Sequence, residues 1–415
     1  MTSSERVGEG AEPAAGAPAW VTVGCAAGVT MDAERLVAAA IEQAGTDDFG
    51  PDADAMHEAM RVLVRSANED AELSPESDAV FAGMIGSLLG RRLQIEQCYA
   101  VHPEIGDQSI DSVLFGLGLP RTGSTALSYL LAQDPAVRNL RQWEASQPTP
   151  PPELATEATD PRFLAAKEMM NGLGEMPSEI KSMLPSSPNG PAECLELMNL
   201  TFRCSMLDCV AQTPSYGDWV VDCDYGPAYR YHERVVKLLQ WHRPPSRWRL
   251  KSPAHMFSID ALDAVYPQSR FVITHRDVTK VIPSVASVET AVVRMYTGNA
   301  DPLYFGQHCA EAWDVALRRF IAFRDRVGED RFYDIGFAEL QADPIGTVRG
   351  LYEWLGEELT PATEAAMQSW WDDSQSDRES GGGHHYTAED FGLDTGELAE
   401  RFAYYGERFP IAQPH

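Results

Sequence analysis

At 415 residues, with a formal net charge of −29 and 44% hydrophobic residues, the chain has enough apolar material for one large globular domain with additions or for two modest ones. That charge repels phosphate polymers and anionic lipid surfaces, which excludes nucleic acid and membrane as general partners and leaves any anionic ligand to a local basic pocket. No apolar run approaches the ~18 residues that span a bilayer, no basic segment leads into an apolar one at the N-terminus, and the seven cysteines are scattered without a CxxC pair; a reduced, cytoplasmic protein with no metal site is expected.

Residues 1–27, typified by Gly8-Glu9-Gly10-Ala11-Glu12-Pro13, lack any helical period and read as a mobile tail. Over 28–108 the runs Leu36-Val37-Ala38-Ala39-Ala40-Ile41 and Met84-Ile85-Gly86-Ser87-Leu88-Leu89 predict an N-terminal helical segment packed on the core, broken by a turn at 47–52. The remainder, 109–415, reads as an α/β domain. Its apolar run 112–117 stops at Gly118-Leu119-Pro120 and gives way to helical spacing over 124–131, which is strand, tight loop, helix. Runs at 270–275 and 331–335 each precede a further helix, so the fold class expected is α/β, a P-loop-type parallel sheet flanked by helices. Residues 145–245 are rich in proline and polar residues, with helical patches near 195–206 and 229–241, and read as a largely helical insertion. A glycine-rich stretch through Gly381-Gly382-Gly383-His384-His385-Tyr386 reads as a loop before a final helix near 395–405.

The segment Gly118-Leu119-Pro120-Arg121-Thr122-Gly123-Ser124-Thr125 has the spacing of a nucleoside-triphosphate P-loop, GxxxxGK[ST], with serine where that motif carries lysine. A loop feeding a helix N-terminus offers backbone N–H groups and the positive end of the helix dipole to a phosphate, and this much is retained. The missing lysine argues against ATP or GTP hydrolysis and against most kinases. The cation sits inside the loop instead, at Arg121, whose planar guanidinium suits a phosphate and a group leaving from it. Further on, Lys251 and His255 stand four residues apart in Arg249-Leu250-Lys251-Ser252-Pro253-Ala254-His255, after a predicted strand, where open α/β sheets bind ligands. Alone, they equally fit a solvated turn charge and a loop histidine. Arg276 ends the next strand, with Ser284 two turns into the following helix, so the pair can converge on one anion. The competing reading pairs Arg276 with Asp277 or another carboxylate.

Taken together, Pro120–Thr125, Trp143-Glu144, Lys251–His255 and Arg276 with Ser284 resemble the sulfotransferases that use 3′-phosphoadenosine 5′-phosphosulfate (PAPS), nearest to bacterial members and to the tyrosylprotein branch. The resemblance implies an enzyme that moves a sulfuryl group from PAPS to a hydroxyl of a small, lipophilic alcohol or phenol, leaving PAP, without a metal. It implies that Arg121 stabilises charge on the leaving phosphate and the moving group, that Thr122, Gly123, Ser124, Thr125 and Ala126 cradle the 5′-phosphate, that Arg276 and Ser284 hold the 3′-phosphate, and that Lys251 lies near the bridging oxygen. Glu144, 23 positions after Arg121, matches the family's catalytic glutamate and is the expected general base, with His255 second; in small-molecule members the histidine follows the lysine by two residues, not four. His385 and Tyr386 are expected to close over the nucleotide, or else to lie in a solvated loop. The insertion supplies apolar residues, Met206, Trp219, Tyr225 and Tyr229 among them, for an acceptor pocket or for core packing. A homodimer is compatible with this reading. The alternatives are a P-loop phosphotransferase or kinase, and a non-catalytic PAP-binding protein.

Overall fold

Alternating side chains on short strands settle how the sheet is buried. In the computed structural model, which describes residues 31–111, 113–172, 187–243, 247–380 and 386–409, β4 (Arg270–His275) sends Phe271 and Ile273 into one core cluster and Val272 into another. A strand apolar on both faces belongs inside a parallel sheet covered by helices on both sides. β1 (Leu114–Gly118), β2 (Val137–Asn139), β3 (Arg247–Lys251), β4 and β5 (Phe332–Gly336) form such a sheet in the order β2-β3-β1-β4-β5, all parallel. The expected α/β class is therefore the one observed.

From β1 the chain runs first to β2 and β3 on one side, then to β4 and β5 on the other. The C-terminal end of β1 is thus the point where strand order reverses, the usual ligand crevice of an open α/β sheet. The strand β2 has no counterpart in the sequence reading, because three residues with an arginine in the middle carry no alternation to detect.

The larger core cluster joins the N-terminal helices Ala33–Ala44, Ala53–Glu69 and Pro75–Val101 to one face of the sheet. Their boundaries follow from local chemistry. Ser74 caps the third helix by accepting from the Ser77 amide at 3.1 Å, with Pro75 in the first turn, and Gly45 ends the first helix at φ 71°. The smaller cluster packs the helices Ser124–Leu131 and Pro344–Leu355 on the other face. Of the insertion's apolar residues, Phe202, Tyr225, Tyr229 and Tyr231 are buried in the core, whereas Met206 and Trp219 are half-buried. The N-terminal tail, His384 and His385 lie outside the described residues. No helix among the described residues is long and apolar enough to cross a membrane.

Candidate active site

The phosphate loop is built by close approach. A side-chain carbon on Gly118 would come within 2.5 Å of the Thr274 carbonyl oxygen, so only glycine lets the end of β1 run beside β4. The chain then turns through Arg121 at φ 64° and Gly123 at φ 92° before the helix Ser124–Leu131 begins. Thr122 pins the turn from inside, its hydroxyl donating to the Leu119 carbonyl at 2.6 Å and meeting the Thr274 hydroxyl at 2.6 Å. The first amides of a helix have no acceptor within it, which suits a phosphate cradle.

On the β4 side the loop meets Arg276. Its Nη1 donates to the Arg121 carbonyl oxygen at 2.9 Å, holding an arginine in a left-handed conformation that side chains otherwise avoid. The Arg276 guanidinium lies 4.3 Å above the Phe337 ring, and Arg121 Nε donates to Ser284 Oγ at 3.3 Å. Ser284 is buried in the helix Val278–Thr297, which Asp277 caps through the Thr279 amide. Burial lowers the proton affinity of Arg276; Tyr386 and the neighbouring Asp277 carboxylate oppose that, and Arg121 adds to it. Among the described residues neither Arg121 nor Arg276 has a carboxylate within ion-pair distance, in a chain of 62 acidic residues. Arg121 on the Ser284 hydroxyl and Arg276 on the Arg121 carbonyl thus bring two guanidinium groups together, an arrangement suited to an anion.

On the β3 side, Gly116 makes room for Lys251: a side-chain carbon there would stand 2.9 Å from Lys251 Cγ. Lys251 Nζ reaches Thr125 Oγ1, an exposed hydroxyl of the helix's first turn, at 3.4 Å, and forms an ion pair with Glu193. The Cys194 amide donates to the Lys251 carbonyl at 2.9 Å, which fixes Glu193 opposite the ammonium. Glu196 follows one helical turn later; burial raises its carboxyl, Arg91 opposes this and Glu193 reinforces it.

The model for the sulfotransferase family matches residues 114–361, a stretch that holds every group just described except Tyr386 and Arg91. The chain belongs to the sulfotransferase family. It is 30% identical to the sulfotransferase STF9 of Mycobacterium avium, with a TM-score of 0.84 over 94% of this chain and 99% of that one. It is 29% identical to STF1 of Mycobacterium tuberculosis H37Rv, with a TM-score of 0.78 over 90% and 99%. It is also similar to omega-hydroxy-beta-dihydromenaquinone-9 sulfotransferase Stf3 of Mycobacterium bovis, 33% identical over 109 residues, a match that spans 26% of this chain and only 28% of that relative.

Against this family background the two expected bases sit in unexpected places. Glu144, on the short helix Gln142–Ser146, is fully buried; both its oxygens accept from Arg138 Nη2, at 3.0 and 3.1 Å, and Arg243 Nη2 stands 3.8 Å away. A carboxylate enclosed in this way has no open side for an acceptor hydroxyl, and it anchors the edge strand β2 through Arg138. His255 is also fully buried, its Nδ1 2.9 Å from the Tyr229 hydroxyl and its ring edge-on to Phe115. Burial, with His232 and Lys251 adding to it, pushes its pKa well below the usual histidine range, so the ring is neutral. Arg121, Thr122, Gly123, Ser124, Thr125, Ala126, Lys251, Arg276 and Ser284 do gather at the C-terminal ends of β1, β3 and β4. Beside Lys251 stands a carboxylate that the sequence reading did not single out, Glu193. The one signal pointing its way was Gly116, a glycine in mid-strand that marks close approach of another group.

Proposed function

We propose that this sulfotransferase moves a sulfuryl group from PAPS to a hydroxyl of a small lipophilic acceptor, giving a sulfate ester and PAP. The observation that carries the donor assignment is the unpaired Arg121–Arg276 couple with Ser284, set beside the backbone cradle of residues 122–126. Two anion sites at neighbouring strand ends match a nucleotide phosphorylated at both 5′ and 3′, whereas a triphosphate would need the loop lysine that serine replaces. Arg276 and Ser284 take the 3′-phosphate; the loop amides take the 5′-phosphate, with Arg121 between them stabilising charge on the leaving phosphate and the moving group.

In this reading Lys251, 5% exposed and aimed at Thr125, supplies positive charge where the sulfur–oxygen bond to the 5′-phosphate breaks. Glu193 takes the proton from the acceptor hydroxyl as its oxygen bonds to sulfur on the opposite side. Its carboxylate borders Lys251 and keeps 29% of its side chain open, while Glu144 and His255 are closed in. Lipophilicity of the acceptor is supported by the name of the Mycobacterium bovis relative, which acts on a hydroxylated menaquinone.

Calorimetric titration with PAP, 5′-AMP and ATP·Mg²⁺ tests the donor class. Tight PAP binding, with 5′-AMP at least tenfold weaker, is expected; preference for ATP·Mg²⁺ would hand the site to a phosphotransferase.

A further inference from the structure

The last strand residue before Arg276 is held on both sides of its ring. His275 is buried; its Nε2 lies 2.8 Å from Asp334 Oδ1 and its Nδ1 2.6 Å from the Tyr405 hydroxyl, and the ring stacks on Phe409 at 4.6 Å. Asp334, on β5, is itself fixed by two bonds of 2.7 Å from Arg324. Burial works against its charge, yet Arg324 and His275 keep the carboxyl well below the usual carboxylate range, so it remains an acceptor. Asp334 therefore accepts from Nε2, and the other ring nitrogen is held by the Tyr405 hydroxyl, whose phenol burial pushes up and keeps protonated. Tyr405 belongs to the helix Ala403–Arg408, far along the chain from β4.

We infer that this C-terminal helix is a working part of the nucleotide site: through His275, Tyr405 sets the position of Arg276 and thereby the grip on a 3′-phosphate. The inference rests on the PAPS reading above. The geometry makes the coupling direct. His275 and Arg276 are consecutive, Arg276 alone bonds to the loop carbonyl of Arg121, and its stacking partner Phe337 follows Gly336, the residue paired with His275 in the sheet. A backbone shift at His275 therefore moves the guanidinium away from both supports. Tyr386, close to Arg276, comes from the same C-terminal segment. Tyr405 and His275 touch no phosphate in this scheme; they are positioning residues.

Tyr405→Phe keeps the ring and its packing and removes one hydroxyl. PAP affinity should fall about five- to tenfold, the loss of one hydrogen bond, with 5′-AMP affinity changed less than about twofold and the KM for PAPS raised more than kcat is lowered. In the Arg276→Ala background the same substitution should cost PAP nothing further, because the two residues act on one contact. Equal loss for PAP and 5′-AMP, or full additivity with Arg276→Ala, overturns the inference, as does an unchanged PAP affinity. If the unaltered protein itself fails to prefer PAP over 5′-AMP, the 3′-phosphate reading falls first and this inference with it; preference there combined with no effect of Tyr405→Phe defeats the inference alone.

Discussion

Two groups of arginines in this molecule face opposite ways electrostatically. At the edge of the sheet, Arg138 and Arg243 surround the buried Glu144, and Arg141 and Arg243 pair with Glu157. At the crevice, Arg121 and Arg276 touch a serine, a carbonyl and an aromatic ring, and no carboxylate among the described residues. Burial lowers the proton affinity of Arg138 while Glu144 restores part of it, so the carboxylate is the counter-charge of that cluster. With 62 acidic residues in the chain, an arginine that has none at ion-pair distance among the described residues suits an anionic ligand, whereas a buried ion pair suits the scaffold. Burial alone does not separate the two; the identity of the partner does.

The comparison is tested hardest where the two carboxylates divide their roles. Glu193→Gln should lower kcat by about 10²–10⁴-fold, the usual worth of a general base, with a smaller loss of stability than at Glu144 because Glu193 keeps 29% of its side chain open to water. Glu144→Gln should do the reverse: it leaves Arg138 buried without its counter-charge, at a cost of about 3–5 kcal/mol in unfolding free energy by denaturant titration, while the protein that remains folded turns over normally. A stable but inactive Glu144→Gln protein would restore Glu144 as the base and merge the two clusters into one site.

The division between what the sequence displays and what it hides follows the same line. The loop Gly118–Thr125 is legible because its function is carried by contiguous backbone, and Arg276 with Ser284 because a strand end and the helix after it have fixed spacing. Glu193 is not legible: it meets Lys251 from 58 positions away, through a backbone bond from Cys194 that no local pattern encodes. The surroundings of Glu144 are illegible for a related reason. Its distance from Arg121 along the chain fits the family, but its partner Arg138 lies on a three-residue strand whose pairing with β3 has no sequence signature. The parallel sheet itself was readable from apolar runs alternating with helices, since burial on both faces leaves little choice of residue. The insertion's aromatics could be read either as pocket or as core, and for Phe202, Tyr225, Tyr229 and Tyr231 packing decided it.

A smaller effect sharpens the crevice side. Arg276→Ala should weaken PAP by about 1.5–3 kcal/mol, the worth of a hydrogen bond to a charged group, and leave 5′-AMP binding nearly unaltered. Stability without ligand should fall by about 1 kcal/mol or less, because the lost hydrogen bond to the Arg121 carbonyl and the lost Phe337 contact are partly offset by relieved repulsion with Arg121. An Arg276→Ala protein that loses several degrees of melting temperature in the absence of nucleotide would show that Arg276 is scaffold after all, and the contrast between the two clusters would fail.

The smallest effect lies at a third kind of cation, one that is paired but titrates. His308 Nε2 stands 3.0 Å from Asp208 Oδ2. Burial opposes its charge, but the Asp208 hydrogen bond and the nearby carboxylates raise its pKa to about 9. A group whose pKa is higher folded than unfolded gives stability that is complete below its unfolded value, about 6.5, and lost as pH rises through 9. Unfolding free energy should therefore decline between pH 6.5 and 9 by on the order of 1 kcal/mol, and His308→Gln should flatten that decline. Because the pair is internal to the scaffold, saturating PAP should shift the whole profile upward without changing its slope. A slope that disappears on PAP binding would mean that His308 senses the nucleotide, and a paired cation would then behave like the unpaired ones.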